Sequence, residues 1–204
     1  MFNEALPDMP TRIIAMKMLL AALALVWIGA TPVMAQAISE YTEYDLDADC
    51  NLIDRAPDNE GEWADFVCTG HAGYPFVLRS SDGRDSVTYG FATESGMATF
   101  APFNYANETV EWRVRIDRNT ERPVAAIQRW FVADEMGEWT RQLLVVSKVG
   151  QPDGGGACAM AYVAATEGAN ARARQLADDL VDGFECGSTA PTIEDGVREI
   201  VGER

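Results

Sequence analysis

"TVEWRVRI", residues 109–116, alternates without a break between apolar and charged side chains. Val110, Trp112, Val114 and Ile116 leave the backbone on one side, and Glu111, Arg113 and Arg115 on the other. Successive side chains of an extended chain point to opposite faces, so this period of two predicts a strand with one face in the core. Working outward, "PFVLRS" (75–80), "SVTYGFA" (86–92), "VAAIQRWFV" (124–132), "RQLLVVSKV" (141–149) and "ACAMAYVAA" (157–165) are five further strand candidates. Turn-forming clusters separate most of them: "SDGRD" (81–85), "DRNTERP" (117–123) and "GQPDGGG" (150–156). Connections this short join antiparallel neighbours, because parallel strands need a long crossover.

One helix is expected after the strands, over about 170–184. Ala173, Leu176, Ala177, Leu180, Val181 and Phe184 recur at helical spacing and form a single apolar stripe. Its charges run against the helix dipole, with Arg172 and Arg174 near the positive end and Asp178, Asp179 and Asp182 near the negative end. Packing must therefore hold it. Beyond Gly187 the sequence reads as a polar tail, in which "TIEDGVREIV" (192–201) has capping-box residues at Thr192 and Asp195 for a turn or two of helix. The expected architecture is α+β: a mostly antiparallel sheet of about six to eight strands with one C-terminal amphipathic helix packed on it.

Residues 1–35 read as an export signal. Arg12 and Lys17 precede "MLLAALALVWIGA" (18–30), an apolar run of 13 residues where a membrane span needs about 20. Small residues before Gln36 and before Ile38 offer cleavage sites, and the expected mature chain begins at Gln36 or, failing that, at Ile38. Met16, followed at once by Lys17, is a better start than Met1. The expected organisation is a signal peptide over 1–35, a single domain over 36–186 and the tail over 187–204.

Cys50, Cys68, Cys158 and Cys186 are the only cysteines, and all follow the signal. An even count in an exported chain predicts two disulfides. Of three connectivities, Cys50–Cys68 and Cys158–Cys186 is expected, since each pair brackets one local unit. Each closure stabilises by roughly 3 kcal/mol on the loop-entropy model. Zinc is disfavoured because no C-x-x-C spacing is present.

The formal net charge is −16. Such acidity argues against nucleic acid and against an anionic membrane as partners once the signal is gone, and favours a basic protein. The charge is uneven: residues 36–70 hold ten acids against one base, Arg55, whereas residues 71–166 are nearly balanced.

Asp45, Asp47 and Asp49 stand at alternate positions in "DLDADC" (45–50), expected as the wet face of a strand with Leu46 and Ala48 turned inward. An EF-hand loop starting at Asp45 needs glycine at its sixth position and glutamate at its twelfth, where Cys50 and Ala56 stand, so only weak calcium binding is open to it. His71 is the sole histidine. A hydrolase built on it would need Ser80 or Ser81 and Asp82 or Asp85 to converge, and no G-x-S-x-G elbow is present. Arg113 and Arg115 share a strand face that suits an anionic ligand, although pairing with Glu111, Asp117 or Glu121 is the simpler use. Trp63, Trp112, Trp130 and Trp139 are expected in packing, with a sugar-binding platform as the sharper reading. No catalytic residue, metal or cofactor is expected.

In order along the chain, "YDLDADC", "CTGHAGYP", "APFN", "VEWR", "IQRWF", "LLVVSK" and "AYVAA…NARARQLADDL…FEC" resemble a family of small exported bacterial proteins, alphaproteobacterial in type. The resemblance runs from Tyr41 to Cys186. It implies export, the cysteine framework and the C-terminal helix, and brings no activity with it. The reading of function is an exported acidic binding protein that takes, or inhibits, a basic protein. The alternatives are a small periplasmic hydrolase dependent on His71 and a weakly calcium-dependent structural protein.

Overall fold

The computed structural model describes residues 37–58, 60–91, 95, 96 and 99–202; the signal expected over 1–35 lies outside them. Among the described residues, the alternating stretch sits inside a sheet of eleven strands. In chain order these are β1 (Ile38–Glu43), β2 (Cys50–Arg55), β3 (Trp63–Thr69), β4 (Pro75–Ser81), β5 (Arg84–Tyr89) and β6 (Ser95–Gly96). Then come β7 (Asn104–Asp117), β8 (Thr120–Val132), β9 (Arg141–Lys148), β10 (Ala157–Ala164) and β11 (Thr192–Ile193). The helices are α1 (Leu46–Asp49), α2 (Ala169–Leu180) and α3 (Arg198–Val201).

The strands run in the order β11-β10-β9-β8-β7-β5-β4-β3-β2, with β1 also on β7 and β6 on β10. Antiparallel pairing dominates; β5–β7, β6–β10 and β10–β11 are parallel and touch over one or two residues each. Strand β7 serves two neighbours along one edge. Its first residue pairs with Arg84 of β5, whereas Thr109–Val114 pair with β1. The β7–β8 register shifts between Ala106 and Val110, and a bulge there bends β7 from one neighbour to the other.

Two hairpins follow directly from turn chemistry. Asp82 and Gly83 both have positive φ (51° and 68°), as do Arg118 and Asn119 (47° and 70°), which suits the two-residue turns preferred between twisted strands. At Gly90 the chain needs glycine for a second reason. A Cβ there would stand 2.1 Å from the Gly150 carbonyl oxygen, at the bridge that ties the end of β5 to the β9–β10 connection.

Both faces of the β7–β10 region are buried. On one face Trp112 meets Phe76 and Tyr89, with ring centroids 6.4 and 5.7 Å apart, and Phe100 packs edge-on against Trp130 and Tyr162. On the other, Ala125, Ile127, Leu144, Val146 and Val163 meet Ala169, Ala173, Ala177 and Val181 of the α2 segment. The disulfides are Cys50–Cys68, across the β2–β3 pair, and Cys158–Cys186, which joins β10 to the chain leaving α2.

The structure departs from the sequence reading at several places. The sheet has eleven strands rather than six to eight, because β1, β2, β3, β6 and β11 are short or polar and take their form from their partners. Helix α2 stops at Leu180, and the Gly183 N–H then closes a tight turn on the Leu180 carbonyl. The segment from Gly187 belongs to the domain: β11 pairs with β10, and Val197, Ile200 and Val201 are buried in the aromatic core.

The charged face of β7 is the largest departure. Glu111 and Arg113 are only 7% and 6% exposed, so the strand is not half wet. Arg174 donates to Glu111 through Nε (2.5 Å) and Nη2 (3.2 Å). Arg113 donates to Asp178 through Nε (2.9 Å) and Nη2 (2.6 Å), and Arg115 to Asp182 through Nη1 (2.6 Å) and Nη2 (3.0 Å). Each contact is a two-point fork, the strong geometry for guanidinium and carboxylate. The register is physical: four helical residues rise about 6.0 Å and two strand residues about 6.6 Å, so positions 174, 178 and 182 fall opposite 111, 113 and 115. Strand β1 closes the ladder. Ser39 Oγ donates to Glu111 and accepts from Arg113, whose Nη2 also reaches the Ala37 carbonyl. Tyr41 Oη accepts from Arg174.

Two substitutions should separate the buried rung from the exposed one. Arg113→Met takes the fork from the Asp178 carboxylate and the donors from Ser39 and the Ala37 carbonyl, and should lower unfolding free energy by about 3 kcal/mol in urea titration. Asp182, whose side chain is 48% exposed, should be worth no more than about 1 kcal/mol on Asp182→Asn. The Arg115 fork holds the Asp182 carboxyl below the ordinary carboxylate range. Its contribution is therefore complete above the unfolded value of about 3.9 and fades as pH falls through the lower folded value. Asp182→Asn should remove that acid-side slope and leave the slope above pH 5 unchanged.

Candidate functional site

The residues singled out in the sequence do not converge on one place. Arg113 and Arg115 are the strand half of the ion-pair ladder; Arg113 is buried beneath α2, whereas Arg115 lies where the helix ends and keeps a quarter of its side chain exposed. His71 lies in a single turn, His71–Gly73, with Ala72 at a φ of 51°. Its Nε2 is 2.7 Å from Glu121 Oε2 on β8. Ser80 and Ser81 are at the other end of β4, six or more residues of extended chain and about 20 Å from that turn. Asp85 accepts the Ala106 N–H and a hydrogen bond from Ser80, and burial raises its carboxyl above the ordinary range. The groups a serine hydrolase would need are thus spread along the sheet.

The tryptophans divide. Trp112 and Trp130 are fully buried and Trp63 is half-buried, whereas Trp139 is 45% exposed and stands edge-on to Tyr105, 4.9 Å between centroids.

The "DLDADC" stretch is not a strand. Asp45 caps α1, accepting the N–H groups of Asp47 and Ala48 at 2.9 and 3.0 Å, and the Asp49 carboxylate accepts the Asp45 N–H at 2.9 Å. The local bonds that aspartate makes to nearby N–H groups outcompete alternation here. Leu46 and Ala48, expected inward, are exposed. All three aspartates face solvent, and two of the three carboxylates are engaged with backbone. Among the described residues no group of three or more His, Cys, Asp or Glu side chains is placed to hold a metal.

Directly after this turn the chain enters β2, the last strand of the sheet order, whose outer edge pairs with no strand among the described residues. Residues Asn51–Arg55 are all exposed. Pairing with β3 shifts between Leu52 and Asp54, which makes Ile53 the extra residue of a bulge. Leu52 and Ile53 are 49% and 56% exposed. An apolar pair in water is notable here because acids surround it in sequence: Asp45, Asp47, Asp49, Asp54, Asp58, Glu60 and Glu62. The Cys50–Cys68 bond and the capped turn hold one end of β2 rigidly. Sequence reasoning passed over Leu52 and Ile53; their signal was two adjacent apolar residues, out of alternation, in the most acidic part of the chain.

No family model, curated protein or solved structure matches the chain in comparison. Disulfides form and persist in oxidising compartments, and the two seen here are consistent with an oxidising, non-cytoplasmic setting. Among the described residues no helix is long and apolar enough to cross a membrane.

The aspartates of the opening turn should differ in their worth to stability. Asp45→Ala removes the cap and should cost about 1 kcal/mol. Asp47→Ala, which leaves every bond of the turn in place, should stay within about 0.5 kcal/mol of the parent. Thermal unfolding of the two variants checks the contrast, and equal losses would contradict the capping role.

Proposed function

We propose that the protein is an exported acidic binding module, working in the periplasm or outside the cell, that captures a basic protein on strand β2. One observation carries the reading: an open edge strand presents two exposed apolar side chains within a strongly acidic segment. An extended segment of a partner can add to such an edge through backbone hydrogen bonds, while pockets and charges set specificity. Leu52 and Ile53 supply the apolar anchor, and the carboxylates around them supply attraction to lysine and arginine and a fast, salt-sensitive encounter. Pre-ordering by the disulfide lowers the entropy lost on binding. The bulge and the charges at Asp54 and Arg55 protect the same edge from pairing with further copies of itself. A module of this kind suits an inhibitor of a basic secreted enzyme or toxin. The export-like segment, the two disulfides and the uneven charge all support this role.

The test is retention of periplasmic proteins on the immobilised chain at low and high salt, beside a Leu52→Ser, Ile53→Ser double variant. Both side chains are exposed, so the fold should survive, and circular dichroism checks that it does. A basic protein should be retained at low salt, released at high salt, and bound at least tenfold more weakly by the variant. Retention of acidic proteins only, retention unaffected by the variant, or no retained protein would each overturn the proposal.

A further inference from the structure

A groove of about 380 Å³ opens at the C-terminal end of α2, and it shares no residue with the β2 surface. Val124, Val149 and Val181 give it an apolar floor, and Arg115, Arg122 and Lys148 stand on its rim. Lys148 is the only lysine after residue 17. Two carboxylates, Asp117 and Asp182, also line the groove, so its lining is net cationic in a protein of net charge −16.

The cations are placed oddly for a purely structural role. Arg115 and Arg122 are direct partners across the β7–β8 pair, so both side chains project from the same face a few ångströms apart. Like charges directly opposite each other destabilise a sheet unless something neutralises them. Arg115 has its fork on Asp182. Arg122 has no such partner: its Nε donates to the neutral Gln151 side chain at 2.7 Å, and the nearest carboxylate, Asp153, is 4.0 Å from Nη2. Lys148 donates to the Phe184 carbonyl at 2.6 Å, which anchors it beside the groove and leaves its other N–H bonds for a further acceptor. An apolar floor with a few converging donors and a volume in this range is the usual form of a small-molecule site.

We propose that this groove binds a small organic anion, a carboxylate carried on a short aliphatic body. The carboxylate sits between Arg122 and Lys148 and completes the neutralisation of the opposed arginines. Its chain lies on the three valines. The slight cationic excess of the lining favours one negative charge over several, since Asp117 and Asp182 repel a second.

Calorimetric titration with octanoate tests this, with octanol as the uncharged analogue and inorganic phosphate as the compact anion. Octanoate should bind at least tenfold more tightly than either analogue and weaken as salt rises. Arg122→Met and Lys148→Met should each reduce octanoate affinity at least tenfold. Arg129→Met, which removes an arginine outside the groove, should leave affinity unchanged and so separate a site from overall charge. Melting curves establish that the variants are folded, and chemical-shift changes on the unsubstituted protein, centred on Val124, Val149 and Val181, locate the ligand without any variant. Equal binding of octanol would mean an apolar crevice without anion recognition and would overturn the proposal. So would phosphate binding as tightly as octanoate, the absence of octanoate binding at millimolar concentration, or shifts confined to other residues.

Discussion

Three two-point ion pairs between one strand and one helix set the arrangement of much of this protein. Glu111, Arg113 and Arg115 on β7 carry one sequence of signs, and Arg174 and Asp178 of α2, with Asp182 just past its end, carry its complement. Helical charges that oppose the dipole find their partners on the sheet, and Arg172 at the other end is held by Glu194 and by carbonyls of Ala164 and Glu167. Apolar packing supplies the larger share of docking energy, as it does in most domains. The ladder contributes register: a slide of α2 by one turn would set Asp178 against Glu111 and leave a buried charge without its partner, which costs several kcal/mol. Strand β1 depends on the same contacts, because Ser39, Tyr41 and the Ala37 carbonyl complete them.

The sheet was legible in proportion to how strongly each strand alternates. β7, β4, β8, β9 and β10 were read near their true positions because their core residues repeat at period two or form long apolar runs. β1 and β3 carry mixed patterns and become strands only against β7 and β4, which a single sequence does not reveal. The face of β7 was misread for a related reason. Alternation distinguishes polar from apolar, but a charge turned toward water and a charge turned toward an opposing charge look alike. The adverse charges of α2 were the available signal, since arginines near its N-terminus and aspartates near its C-terminus need partners elsewhere. In "DLDADC" alternation pointed the wrong way, because aspartate bonds to nearby N–H groups more readily than it sustains a strand. The tail from Gly187 looked polar by composition, yet Val197, Ile200 and Val201 are enough to fasten it to the core.

The disulfide pairing follows the expectation that each bond brackets one local unit, and it matters beyond stability. Cys50–Cys68 fixes the entry to β2 against β3, and Cys158–Cys186 holds the chain leaving α2 against β10, beside the groove. Both proposed binding surfaces therefore lie next to a crosslink that an oxidising compartment provides. They are opposite in sign, an acidic edge and a cationic hollow. The overall charge of −16 describes only the first, so the net charge points to a basic partner and is silent about the groove.

The direct measure of the central constraint is a double-mutant cycle on the first rung, with Glu111→Gln, Arg174→Met and their combination compared by urea unfolding. If the ladder sets the seat of α2, the two losses should overlap, with a coupling energy of about 1 kcal/mol or more. Losses that add within about 0.3–0.5 kcal/mol would show that the two residues act independently and that apolar packing alone seats the helix.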